Sequence, residues 1–171
     1  ARVHGLQHVP NFGTADFADD DPFGTHTQAV ADQVALGDRA ETFAALSEMN
    51  QKDYAAALRR LDSLLTNSPN SAMAGQAALL AAQCAQQTGD LDRASARFQE
   101  VAKSGDARLV PDALYGLGCI QRLQGHLDAA ARSLDALLDA DGELPLRAVA
   151  TIERGRVSFD QGEFDRARAF F

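Results

Sequence analysis

Few side chains in this sequence have the types and spacing that catalysis or metal binding requires. His4 and His8 are four residues apart, which would place two metal ligands on one face of a helix, but Gly5 and Pro10 disfavour a helix there. Cys119 has no histidine at a matching position, so it is not predicted to act as a nucleophile. The sequence therefore predicts no enzyme activity, no metal and no cofactor.

Two further groups of residues also have a structural interpretation. Asp19, Asp20 and Asp21 are adjacent, so they lack the alternating ligand spacing of a calcium-binding loop and are predicted to be solvated charge. Cys84 and Cys119 lie at neighbouring positions of adjacent repeats. Packed helix axes are about 8–10 Å apart, whereas a disulfide requires Cα atoms roughly 4.4–6.8 Å apart. Two free thiols are expected.

Composition excludes several classes of function. The 171 residues are 46% hydrophobic, enough for a core, and a net charge of −8 argues against binding to nucleic acid or to an anionic membrane surface. No run approaches the roughly 18 apolar residues of a membrane-spanning helix, so no direct membrane insertion is predicted. The absence of tryptophan and the 6% aromatic content fit an Ala- and Leu-rich helical stack.

The element that must position any binding residue is a helical hairpin over residues 114–137. Its first half places Leu114, Leu117, Gly118 and Gln121 on one face of a helix, and Gly125 ends that helix. Its second half carries a separate apolar stripe. Because neither helix can bury its stripe alone, the hairpin must pack against similar hairpins.

Similar hairpins recur along the chain at steps of 37, 36 and 37 residues. The first apolar residue of each second helix marks the register: Tyr54, Leu91, Leu127 and Phe164. Three residues after each marker is an alanine and seven after is a large apolar residue: Ala57 and Leu61, Ala94 and Phe98, Ala130 and Leu134, Ala167 and Phe171. Small residues allow helix backbones to approach, and large residues fill the adjacent space. The pattern indicates a repeat protein.

These positions resemble the tetratricopeptide repeat. Gly89, Gly125 and Gly162 are turn glycines followed two residues later by Leu or an aromatic residue, and Leu117-Gly118 is similar to the paired Leu-Gly of the family's first helix. The resemblance implies an all-α fold, a right-handed α-solenoid of helix–turn–helix repeats. This sequence departs from the family pattern at four places: Lys52 replaces the first turn glycine, an Ala-Ala pair replaces Leu-Gly in each of units one and two, and Arg154-Gly155 replaces it in unit four.

The predicted organisation is an N-terminal arm plus a short helix over residues 1–37, followed by a repeat domain over residues 38–171. The repeat units are predicted over residues 38–70, 71–106, 107–143 and 144–171, and the last is truncated. Phe170 and Phe171 are expected to face water unless the array continues or another surface covers them. Phe164, Phe170 and Phe171 are therefore a predicted assembly surface.

Local signals set the helix ends. A helix over residues 28–36 is expected to stop at Gly37, and Asp38 with Glu41 forms a capping-box pattern that would begin the next helix. Pro111 is predicted in the first turn of a helix or just before it, because an interior position would cost about 3 kcal/mol. The residues 141–145 form a predicted turn.

The resemblance also implies a ligand-binding face, because the first helices of such repeats line the concave side of the superhelix. By register, the predicted groove residues are Leu46, Met49, Asn50, Leu79, Gln83, Gln86, Tyr115, Cys119, Arg122, Ile152, Arg156 and Phe159. Thr42 and Leu46 replace the Lys and Asn with which chaperone-binding members clamp a carboxylate, so that peptide class is not expected.

Two functions follow from this sequence. The preferred prediction is a non-enzymatic scaffold or adaptor that binds a segment or helix of another protein in the concave groove. The alternative is a self-assembling structural module, a homo-oligomer joined through its N-terminal arm or its open C-terminal end. The composition and near-36-residue spacing are similar to bacterial envelope repeat proteins that assist assembly or export. That analogy favours the cell envelope or periplasm, with the cytoplasm as the alternative.

Overall fold

The computed structural model describes residues 22–140 and 146–171, with side chains from residue 31 onwards within those ranges. Every regular element in this described part is an α-helix, which confirms the predicted all-α class. The chain divides into two compact units, Ala1–Val34 and Ala35–Phe171. The helices are α1 (Pro22–Asn50), α2 (Tyr54–Asn67), α3 (Ala74–Thr88), α4 (Leu91–Lys103), α5 (Val110–Leu123), α6 (Leu127–Leu138), α7 (Arg147–Asp160) and α8 (Phe164–Arg168).

The helices of the second unit pack in chain order. Each helix from α2 to α8 contacts the next, and α5 also contacts both α3 and α7. This is the arrangement of an α-solenoid, in which a helix pair contacts only its neighbours. The first helices of successive pairs therefore lie side by side. The predicted unit boundaries stay a prediction, but the stack of helix pairs is as expected.

The N-terminal helix differs from the prediction. α1 continues through Gly37, so the predicted stop at this residue is wrong, and Asp38 lies inside the helix rather than at its beginning. An interior glycine keeps its backbone N–H group and costs only about 1 kcal/mol relative to alanine, which weakens a helix without ending it. Residues 22–26 of the predicted irregular arm are also helical, and residues 1–21 lie outside the described residues.

The turn inside each repeat hairpin has the same backbone conformation. Gly89, Gly125 and Gly162 have φ angles of 82°, 78° and 79°, and Lys52 at the matching place has a φ of 64°. The left-handed region suits glycine because it has no Cβ, whereas other residues are strained there. Lys52 therefore occupies a turn position whose backbone conformation favours glycine.

The helix N-termini agree in part with the signals in the sequence. The carboxylates of Asp53 and Asp90 each accept a hydrogen bond from a backbone N–H three residues later, at 3.0 and 3.2 Å, whereas His126 at the matching position forms no such side-chain bond. Pro111 lies in the first turn of α5, which confirms its predicted place. The predicted turn at residues 141–145 lies outside the described residues.

The small residues of the repeat pattern and three of its four large residues occupy the core, and the fourth large residue, Phe171, is exposed. The four alanines of the pattern are at most 3% exposed, and Leu61, Phe98 and Leu134 are at most 2% exposed. The first-helix residue that faces the large residue is small because a larger side chain would clash with it. A Cβ atom on Gly118 would lie 2.7 Å from Leu134 Cγ, and one on Gly155 would lie 2.8 Å from Phe171 Cζ.

Candidate partner-binding face

Helices α1, α3, α5 and α7 are the first helices of the pairs and carry all the predicted groove residues. Because α3 contacts α5 and α5 contacts α7, the outer surfaces of these three helices form one side of the stack, and Leu46 and Met49 of α1 pack against the core cluster that contains the buried residues of α3. We call this side the first-helix face, defined by the predicted groove residues of these four helices. The face changes in character from α1 to α7.

The α1 and α3 part of the face is largely committed to packing. Leu46 and Met49 are partly buried against the core, and Leu79 is only 7% exposed, so it offers little area to a partner. Gln83 and Gln86 are half-buried, and only Asn50 is exposed. This part therefore presents mainly amide groups.

The α5 part of the face contains two half-buried titratable side chains one helical turn apart, Tyr115 and Cys119. Burial raises the pKa of the Cys119 thiol to about 11, and the negative charge of Glu153 adds to the shift. Burial also raises the pKa of Tyr115 to about 12. Both groups are thus neutral at physiological pH, and the thiol is a poor nucleophile because the thiolate is the reactive form.

An ionic cluster joins α5 to α7. Arg122 Nε lies 3.4 Å from Glu153 Oε2, and Arg122 Nη1 donates a hydrogen bond to Asp160 Oδ2 at 3.2 Å. The Glu153 side chain is only 9% exposed and also pairs with Arg156, 3.1 Å away. One nearly buried carboxylate therefore lies between two guanidinium groups. Removing either partner of such a buried pair is costly, so the cluster fixes the two helices together.

The α7 part of the face exposes apolar side chains beside this cluster. Val149, Ile152 and Phe159 are 41%, 43% and 59% exposed, and the Arg156 side chain between them is 57% exposed. The spacing of these four residues places them along one stripe of α7. An apolar stripe interrupted by one arginine can contact both the apolar and the acidic groups of another molecule.

The predicted assembly surface lies next to α7. Phe164 is 59% exposed and its ring packs edge-to-face against Phe159, with ring centroids 5.3 Å apart. Phe171 is 75% exposed, as expected, although its ring also touches the backbone at Gly155. The expectation that Phe170 faces water is wrong, because this residue is half-buried and the Arg154 guanidinium lies over its ring, 5.3 Å from the ring centroid.

Sequence reasoning missed two buried polar groups. Glu153 was not among the predicted groove residues, although its place one turn before Arg156 is a usual ion-pair spacing on a helix. Arg154, at the leucine position of the repeat pattern, is 1% exposed. It donates hydrogen bonds to Asp135 Oδ1 and Ser158 Oγ, both at 2.7 Å.

The described residues contain no group of three His, Cys, Asp or Glu side chains that could hold a metal ion. His4, His8 and the three aspartates at positions 19–21 lie outside the described residues. Over the described part, no helix combines the length and the apolar character needed to cross a bilayer. Both cysteines of the chain are free, as predicted from the helix spacing.

Paired antiparallel helices, turn residues in the left-handed region and small residues at the helix crossings define a helical repeat protein. Residues 26–171 match the family described as the tetratricopeptide repeat-like domain, so the chain belongs to this family. No curated protein matches the chain. Repeat domains of this type generally have no enzyme activity and typically mediate protein interactions.

Proposed function

We propose that this domain binds a segment or an amphipathic helix of another protein on the α5–α7 part of its first-helix face. The observation that carries the proposal is the exposed stripe of α7, where apolar side chains flank Arg156 beside a fixed ionic cluster. Apolar side chains anchor a bound helix, and a charged side chain among them sets its orientation. Tyr115 adds a half-buried aromatic ring on α5.

The chemistry of this part of the face favours one kind of partner. Ile152 and Arg156 are four residues apart on one helix and both are exposed, so a bound helix would need an apolar residue and an acidic residue about one turn apart. Glu153 pairs with both Arg122 and Arg156, so its single negative charge is shared between them. The exposed guanidinium of Arg156 can therefore donate hydrogen bonds to a carboxylate of the partner as well. Family membership supports protein binding, and the face of the contact is the proposal.

The experiment uses variants that spare the ionic cluster. Tyr115→Ala combined with Ile152→Ala removes an aromatic ring and an exposed apolar side chain, whereas Arg122→Ala or Arg156→Ala would leave Glu153 with one partner and weaken the fold. Arg132→Ala is the matched control, because Arg132 is exposed on α6, away from the first-helix face.

The partner would first be identified by capture with the intact domain. Binding isotherms with that partner should then show at least a tenfold loss of affinity for the double variant and none for Arg132→Ala, since two central interface residues commonly contribute this much. Equal affinities of the double variant and the wild-type domain would contradict binding at this face.

A further inference from the structure

Neighbouring repeat units of this chain meet at repeated register positions. Between units three and four, Arg122 is five residues before the marker Leu127, and its partner Glu153 is eleven residues before the marker Phe164. Between units two and three, the corresponding pair is Gln86 and Gly116, and the Phe98 ring fills the space beside this glycine. The minus-five position of unit three therefore faces the minus-eleven position of unit four, and the same positions of units one and two, Met49 and Leu80, belong to one apolar cluster.

A second contact repeats at the turns. The Gln124 side-chain amide donates a hydrogen bond to Asp92 Oδ1, and the Gln161 amide donates one to Asp128 Oδ1, both at 2.8 Å. Each glutamine is three residues before its own marker, and each aspartate is one residue after the marker of the preceding unit. This amide–carboxylate contact therefore also has a fixed register.

The first and fourth units expose the matching halves of both contacts. Phe159 is five residues before Phe164 and so corresponds to Arg122, and it is 59% exposed. Phe43 is eleven residues before Tyr54 and so corresponds to Glu153, and it is 71% exposed. The pair that is ionic inside the chain is thus apolar on both outer surfaces.

The turn contact is matched in the same way. Gln51 on the first unit corresponds to Gln161, and Asp165 on the fourth unit corresponds to Asp128; both are exposed. Leu36 adds to this agreement, because it corresponds to Leu146, which packs against the core, yet Leu36 is 64% exposed. Three independent positions on α1 and its turn therefore carry side chains suited to a preceding unit.

We propose that copies of this chain associate head-to-tail, with the α7–α8 surface of one copy packed on the α1 surface of the next. In this contact Phe159 meets Phe43 of the next copy, and Asp165 accepts a hydrogen bond from Gln51 of that copy. The occupant of both surfaces is a second copy, because one sequence carries the apolar side chain at both the minus-five and the minus-eleven positions. A contact between two different surfaces is heterologous, so it can add further copies.

Charge substitutions that copy the ion pair of the internal junction test this proposal. Phe43→Glu and Phe159→Arg each place one charge in an apolar contact and should weaken self-association at least tenfold in sedimentation velocity experiments over a wide range of concentrations. A mixture of the two variants should associate again. One junction then pairs Arg at 159 with Glu at 43, as Arg122 pairs with Glu153, and the other junction is the wild-type contact.

Val149→Glu is the matched control, because it also charges an exposed apolar residue of α7. Its counterparts Arg39 and Asp112 are both exposed, so this position faces no neighbouring unit, and the variant should associate like the wild-type chain. Circular dichroism would check that each variant keeps its helices.

Three outcomes would overturn the proposal. The first is a wild-type chain that stays monomeric at every concentration. The second is loss of association with Phe159→Arg but not with Phe43→Glu, which would indicate a symmetric contact between two α7–α8 surfaces. The third is a mixture of folded Phe43→Glu and Phe159→Arg chains that fails to associate.

Discussion

Gly118 in α5 lies so close to Leu134 in α6 that a Cβ atom at position 118 would be 2.7 Å from Leu134 Cγ. Leu134 is fully buried, so it cannot turn towards solvent to make room. Gly118→Ala should therefore lower the free energy of unfolding by about 1–3 kcal/mol, the usual cost of overpacking, although alanine favours the helix itself. Urea unfolding would measure the change.

Gly37→Ala is the control for this substitution. Gly37 also lies inside a helix, but a Cβ atom there would meet nothing within 4 Å. Alanine should therefore stabilise the chain by up to about 1 kcal/mol through helix propensity alone. If the two variants changed stability by the same amount, the close contact with Leu134 would not explain the glycine at position 118.

Lys52 is an exposed residue with a φ angle of 64°, at the turn position where the other hairpins have glycine. A left-handed conformation costs a residue with a Cβ about 1–2 kcal/mol, and glycine would avoid this cost. Part of the stabilisation is lost again because glycine makes the unfolded chain more flexible. Lys52→Gly should therefore raise the free energy of unfolding by about 0.5–1 kcal/mol. Gly125→Ala, the reverse change at the matching turn, should lower it, and thermal unfolding of both variants would show opposite shifts.

More of the fold than of the binding face could be predicted from the sequence. The register of Ala130 and Leu134 identified a repeat because packing at a helix crossing depends on residue size, which recurs visibly in the sequence. The stop at Gly37 was wrong because continuation of a helix depends on contacts beyond the local signal. Glu153 was missed because its burial between two arginines depends on how neighbouring units stack. The sequence alone does not show that geometry.

Arg154 occupies the leucine position of the repeat pattern and is 1% exposed, with its guanidinium bonded to Asp135 and Ser158 and placed over the Phe170 ring. Arg154→Ala would remove these contacts and leave a cavity, so we expect a loss of about 2–4 kcal/mol in the free energy of unfolding. Arg154→Leu restores the repeat pattern and fills most of the space. Because Asp135 is 42% exposed and can be solvated, this variant should lie within about 1 kcal/mol of the wild-type chain.

Chemical denaturation of the Arg154→Ala and Arg154→Leu variants side by side would separate packing from charge. A leucine variant as unstable as the alanine variant would mean that the ion pair itself, rather than the filled volume, holds α7 against α6. Leucine, the usual residue of the repeat pattern, would then be a poor substitute for Arg154.

Because the pKa values of the two thiols are raised, we expect the chain to lose stability at alkaline pH. Burial raises the pKa of Cys84 and of Cys119 to about 11 from an ordinary value of 9.0. A folded-state pKa above the unfolded value means that the unfolded chain releases its protons first. The contribution of the neutral thiols is therefore complete below pH 9 and declines as the pH rises towards 11. At pH 10 each thiol should reduce the free energy of unfolding by on the order of 1 kcal/mol.

Urea unfolding at pH 8 and pH 10 would measure this decline in the wild-type chain and in Cys119→Ala. Alanine at position 119 does not ionise, so the variant should lose less stability between the two pH values than the wild-type chain. Tyr115 also has a raised pKa, of about 12, so part of the decline should persist in the variant. An identical decline in both proteins would contradict a neutral, buried Cys119 thiol in the folded state. The thiol would then ionise as easily in the folded chain as in the unfolded one, and Cys119 would have to be accessible to solvent on the first-helix face.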